Sequence, residues 1–217
     1  MSADPPSVDL SAEPPFRVFL LSPANLTGRR AAMVLSSRAQ FDLARRLRSP
    51  DGASIGEVFA FVSGLYFRGK LAYANAFGRP PAALPQGMVI SPAEGLRPLQ
   101  EHVSSERLRA WAEVEVDARN ARFTGPLFRA AERLERAYGS VTRFVLLGSI
   151  ATSKYVKPLA TVLGDHLLFP SEFVGRGDMS RGALLLRAAR THIELAYSTV
   201  EGSRLTTSRT PRIVPLD

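Results

Sequence analysis

Four short apolar runs, at residues 17–22, 88–90, 143–147 and 166–169, punctuate the chain, and each is halted by proline, glycine or serine. Between them lie longer stretches of helical period. Apolar runs this short suit strands covered on both faces, and their alternation with helices directs the chain to an α/β fold with a mostly parallel sheet. The expectation is a single α/β domain over residues 16–200, its central sheet of about four to five strands flanked by helices. Four strands are expected to be parallel, with a possible fifth, at 193–200, on an edge. A chain of 217 residues accommodates this as one medium domain.

The ends read differently. Pro5, Pro6, Pro14 and Pro15 sit among small and acidic residues, so residues 1–15 are expected to form a flexible arm, and residues 201–217 a polar basic tail. No apolar run approaches the ~18 residues of a membrane span, and the first residues lack the basic flank and apolar core of a secretory signal. A cytoplasmic protein without a membrane partner is expected. Cysteine is absent and the three histidines, His102, His166 and His192, are scattered, which excludes thiolate chemistry and leaves no zinc-ligand spacing. Neither a metal nor a cofactor is expected.

Several helices have recognisable boundaries. Ser54 with Glu57 forms a capping box opening a helix, and a second runs from 66 to 77. Residues 104–122 read as mainly helical. Pro126 suits the first turn of a helix that Gly139 closes in the left-handed conformation. Thr152 caps another that ends at Gly164, with Pro158 kinking or shortening it, and a last helix covers 180–190.

Charge adds a direction. Lys and Arg total 28 against 20 Asp and Glu, a net +8 that favours nucleic acid or phosphorylated small molecules, although arginine-rich codon usage produces the same excess. A helix over 29–47 places Ala32, Leu35, Ala39, Leu43 and Leu47 on one side and Arg38, Arg45 and Arg48 on another, either a solvated face or a nucleic-acid-binding one.

In an open parallel sheet, ligands bind beyond the carboxyl ends of the strands, where helix N-termini and free amides converge. Four such ends are small and polar: Ser22, Pro23, Ala24 and Asn25 with Thr27 and Gly28; Ser91 to Gly95; Gly148 to Lys154; and Gly175 to Gly182. Ser22, Ser91, Gly148 and Gly175 are therefore expected around one cleft. Gly148, Ser149, Thr152 and Lys154 offer close backbone approach, hydroxyls and a cation for an anion, or else form a tight strand-to-helix turn capped by Thr152. Neither the P-loop spacing nor G-x-G-x-x-G is present. Arg176 and Arg181 lie beside a positive helix start, where an anion or carboxylate is needed to join them.

For acid–base work the candidates are Glu94 and Asp178, with Glu172 nearby; each also suits a surface or capping role. His166 falls on the opposite edge and reads as structural. Tyr66, Phe67 and Tyr73, with Arg68 and Lys70, either stack on a base or pack in the core, and Trp111 reads as core.

At the strand ends the chain resembles the YaaA-like peroxide-stress family and related α/β proteins. The likeness rests on Leu20-Leu-Ser-Pro-Ala24, Leu65-Tyr-Phe-Arg-Gly-Lys70, Val89-Ile-Ser-Pro-Ala-Glu-Gly-Leu-Arg-Pro-Leu99, and Leu146-Leu-Gly-Ser149 with Tyr155, in order over about 16 to 190. The resemblance implies a compact α/β fold and association with DNA or nucleotides, without assigning a catalytic residue. The functional expectation is a domain that handles a nucleotide or nucleic acid, holds a phosphate-bearing ligand at the carboxyl edge of the sheet, and acts on a glycosidic or phosphate bond. The alternative is a non-catalytic DNA-binding protein that uses Arg38, Arg45, Arg48 and the basic tail.

Overall fold

The structure, a computed structural model, describes residues 15–150 and 153–200. Residues 1–14 of the expected arm, the basic tail and Thr152 lie outside the described residues. In chain order the elements are β1 (Phe16–Leu21), α1 (Arg29–Leu35), α2 (Asp42–Arg48), β2 (Ala53–Ser54), α3 (Ile55–Ser63), α4 (Leu65–Phe77), β3 (Gly87–Ser91), β4 (Gly95–Pro98), β5 (His102–Val103), α5 (Ser105–Ala112), α6 (Ala121–Tyr138), β6 (Thr142–Leu147), α7 (Ser153–Leu163), β7 (Leu167–Pro170), α8 (Asp178–Thr191) and β8 (Tyr197–Thr199).

The main sheet has six strands in the order β4-β3-β1-β6-β7-β8, larger than the four to five expected, and β2 and β5 form a separate antiparallel pair. The four apolar runs are its parallel centre, β3, β1, β6 and β7, and antiparallel β4 and β8 flank them. Val18 to Leu21 and Phe144 to Leu147 are fully buried, as strands sandwiched between helix layers must be. The added strand β4 contains Arg97 and ends on Pro98, a composition that only an edge position tolerates.

Strand order determines where a ligand site forms. From β1 the chain crosses to β3 on one side, then returns past β1 to place β6 and β7 on the other. Connections therefore diverge between β1 and β6, which opens a crevice at their carboxyl ends. Their register pairs Leu21 with Leu147, so Ser22 follows directly beside Gly148.

Helix boundaries depart from expectation at three places. The segment 29–47 is two helices, with Ala32 exposed and Ala31, Val34, Leu43, Ala44 and Leu47 forming the buried side. The break is held by guanidinium donors, from Arg48 to the Ser36 and Ala39 carbonyls at 2.9 and 2.6 Å and from Arg109 to the Leu35 carbonyl at 2.7 Å. It also lets Phe41 stack on Phe61 at 5.3 Å between centroids. Helix α5 stops at Ala112, leaving the rest of 104–122 as a loop up to the start of α6.

Helix α6 starts at Ala121, and Pro126 lies inside it, because Asn120 supplies the cap by accepting from the Arg122 amide at 3.1 Å. Gly139 closes it in a right-handed conformation (φ −56°, ψ −39°). The left-handed closure occurs instead at His192 (φ 53°), after α8. Pro126 has a separate role. Its carbonyl oxygen lies 2.4 Å from the place a Cβ would take at Gly95, whose φ of +72° already favours glycine, so α6 seats directly on the β3–β4 turn.

Candidate functional site

A cleft of about 600 Å³ opens at the carboxyl ends of β1 and β6. The β1–α1 loop contributes Ser22, Asn25 and Thr27; α4 contributes Tyr66 and Lys70; the end of α5 contributes Trp111 and Ala112, and the loop after it residues 113–116; the β6–α7 connection contributes Ser149, and the first turn of α7 contributes Lys154 and Tyr155. Pro92 from the β3–β4 turn and Asp178 from α8 complete the wall.

Of the residues expected at the site, Ser22, Asn25, Ser149, Lys154 and Asp178 are brought together here. Gly148 sits close beside Ser22: a Cβ on it would lie 3.0 Å from the Ser22 Cβ, a tight approach that glycine avoids. Asn25 is partly occupied, since its Oδ1 accepts from the Thr27 amide and hydroxyl at 3.0 and 2.8 Å.

Other expected residues stand apart. Ser91 is fully buried and accepts from the Glu94 amide at 2.8 Å, which makes it a brace for the turn, with Pro92 facing the cleft in its place. Glu94 does not line the cleft. Its carboxylate accepts from Arg107 Nε at 2.9 Å, from Arg107 Nη2, and from the Trp111 indole at 2.8 Å. The Arg107 guanidinium, with help from the indole, holds that carboxyl below the usual range against the opposing effect of burial. Arg107 also joins Glu101 at 2.7 Å, and Arg97 donates to Glu101 at 2.6 and 2.8 Å, so the segment is a clamp of paired charges.

Gly175 and Arg176 also lie outside the wall. Arg176 donates to the Glu172 carbonyl at 2.9 Å and to Ser180 at 3.1 Å. Arg181 is buried; its Nε and Nη2 reach the Phe173 carbonyl at 3.3 and 3.2 Å, and its Nη1 lies 3.5 Å from Asp178. Carbonyls, the Ser180 hydroxyl and one carboxylate therefore engage both arginines. Arg38 and Arg45 are exposed away from the cleft wall, whereas Arg48 is engaged in the helix break. His166 faces Glu135 at 2.9 Å, a structural pairing.

The functional residue that sequence reasoning underweighted is Lys70. It is 1% exposed, and its Nζ donates to the Ser22 carbonyl and to Ser22 Oγ, both at 2.8 Å. Its ammonium lies 4.2 Å from the centroid of the Tyr66 ring and 5.1 Å from that of Phe67. Burial lowers its pKa to about 7, with Asp178 opposing that shift and Arg181 reinforcing it. A signal was present: Lys70 interrupts the apolar stripe of Tyr66, Phe67, Tyr73, Ala74 and Phe77 on α4.

Two tyrosines share the wall. Burial pushes Tyr66 up to about 12, against the lowering effect of the nearby Arg181 guanidinium. Burial, with Tyr66 and Asp178 nearby, raises Tyr155 as well. Phe67 and Tyr73 are core residues, and Trp111 is both core and wall.

The cleft thus combines aromatic surface, hydroxyls, two amines and carboxylates, including exposed Glu113 and Glu115. Among the described residues, no group of three or more His, Cys, Asp or Glu gathers as for a metal ion, and no helix is long and apolar enough to cross a membrane. Compared with known proteins, the chain matches no family model, no curated protein and no solved structure.

Proposed function

We propose that the cleft binds a nucleotide or a nucleotide unit of a nucleic acid and acts on its phosphate or glycosidic bond. The observation that carries this reading is the meeting of Ser22, Ser149, Lys154, Tyr66, Tyr155 and Trp111 on one cavity at the point where the sheet's connections diverge. A volume near 600 Å³ falls within the range of small-molecule sites. Each part of a nucleotide has a counterpart on the wall. Aromatic faces suit a base, the carboxylates of Asp178, Glu113 and Glu115 suit donors on the sugar or base, and Lys154 with Ser149 suits a phosphate. Lys154 has no ion pair among the described residues, so its charge is available to a ligand. Asp178, with a 69% exposed side chain, is the remaining acid–base candidate.

The test is thermal unfolding with a panel of nucleoside mono-, di- and triphosphates. The expected result is a saturable rise in Tm, equivalent to about 2.7 kcal/mol at a hundredfold excess over Kd, that is lost in Lys154→Ala. Absence of any shift across the panel refutes the reading. Steeply salt-dependent DNA affinity that survives Lys154→Ala and falls in Arg38→Ala and Arg45→Ala favours the non-catalytic alternative.

A further inference from the structure

Ser22 and Lys70 are in a relationship that ligand binding alone does not require. Lys70 is held almost out of solvent on α4, yet both of its hydrogen bonds go to one residue, the Ser22 carbonyl and hydroxyl at 2.8 Å each. No carboxylate pairs with its ammonium among the described residues. When protonated, Nζ donates to both oxygens. When neutral, it accepts from the Ser22 hydroxyl and keeps donating to the carbonyl, so the same geometry serves both states. A hydroxyl within about 2.6–3.2 Å of a base that is oriented by a third group is the arrangement of an activated nucleophile.

We propose that Ser22 and Lys70 form a nucleophile–base pair that attacks the phosphorus of a phosphate ester bound in the cleft. Ser22 Oγ forms a bond to phosphorus, its proton passes to Lys70 Nζ, and the ester P–O bond breaks with its electron pair on the leaving oxygen. The Lys70 ammonium returns its proton to that oxygen. Water then attacks the phosphoserine, giving a proton to Lys70, and the Ser22 Oγ–P bond breaks; Oγ recovers the proton from Lys70.

The surroundings match these roles. Bare Gly148 leaves space at Ser22, and Ser149 and Lys154 across the cleft face the charge on the phosphoryl oxygens. The groups bearing on Lys70 are the Tyr66 ring from its own helix, Ser22 from the loop after β1, and Asp178 and Arg181 from α8, with Lys154 and Tyr155 of α7 on the same wall. Burial keeps a large fraction of Lys70 neutral near pH 7, which a surface lysine is not.

A small alkyl fluorophosphonate tests the pair directly, because Oγ–P formation with loss of fluoride leaves a stable adduct. The proposal rests on the phosphate-ester reading only for its substrate class. The probe carries no nucleoside, so failure of labelling and failure of nucleotide binding are separate results. Mass spectrometry of the intact and digested full-length chain should find one adduct, on Ser22, that is absent in Ser22→Ala. In the wild-type protein its rate should climb about tenfold per unit at low pH and level off above about pH 8, as Lys70 becomes neutral. Lys70→Met, with folding checked by circular dichroism, should slow it about 100-fold or more. No Ser22 adduct in folded wild-type protein overturns the nucleophile. A rate insensitive to pH, or unchanged in folded Lys70→Met, overturns the base.

Discussion

Gly69 on α4 and Gly182 on α8 meet backbone to backbone: a Cβ built on Gly69 falls 2.6 Å from the Gly182 carbonyl oxygen, and one on Gly182 falls 2.8 Å from Tyr66 Cα. This contact sets the spacing between Tyr66 and Lys70 on one helix and Asp178 and Arg181 on the other. Alanine at Gly182 gains up to about 1 kcal/mol of helix propensity. Overpacking costs about 1–3 kcal/mol, and here the obstructing atoms are backbone that has no rotamer to yield. Gly182→Ala should therefore destabilise, lowering the urea midpoint at unchanged m-value.

Lys70 makes stability depend on pH. Its pKa is about 7 when folded, against 10.5 for the unperturbed side chain, so between those values the unfolded chain binds more protons. Native stability attributable to this group rises with pH across that window, by up to about 1.4 kcal/mol per pH unit, and is at its lowest below pH 7. Lys70→Met removes the dependence. The stability of Lys70→Met relative to wild type should be greatest near pH 6 and shrink steadily towards pH 10, measured by denaturant unfolding at each pH.

Glu94 separates anchoring from chemistry. Glu94→Gln leaves Arg107 and Trp111 with a weaker acceptor and should lower stability by about 1 kcal/mol, below the usual range for charged hydrogen bonds because the side chain is 34% exposed. Because the folded pKa is depressed, that stabilisation is present above the unfolded carboxyl pKa and is lost as pH falls through the folded value. Wild type and Glu94→Gln should converge in acid, while nucleotide-induced Tm shifts at neutral pH stay equal in the two proteins.

The three arginines of the basic segment should not behave alike. Arg48 donates to two carbonyls that end a helix and its connection, so Arg48→Ala should cost about 1–3 kcal/mol in thermal or denaturant unfolding. Arg38→Ala and Arg45→Ala, both at exposed side chains, should stay within about 0.5 kcal/mol of wild type.

Local pattern carried the parallel centre of the sheet, because a strand buried on both faces leaves an uninterrupted apolar run that proline or glycine must end. The same logic failed for β4, where Arg97 and Pro98 are acceptable only at an edge, a position no local window reveals. It also failed between 36 and 41, where distant Arg109 satisfies a carbonyl that a continuous helix would otherwise use. Pro126 looked like a helix start because its missing amide suits the first turn; Asn120 had already provided that start.

Residue type at consecutive positions is enough to expect an α/β sheet and polar strand ends that include Ser22, Ser149 and Lys154. Tertiary structure alone decided that Glu94 would be tied to Arg107 and Trp111 while Lys70 turned to Ser22. Strand order and the α4–α8 crossing bring together residues 48 positions apart in the chain, and the desolvation that gives Lys70 its character arises only once those helices close over it.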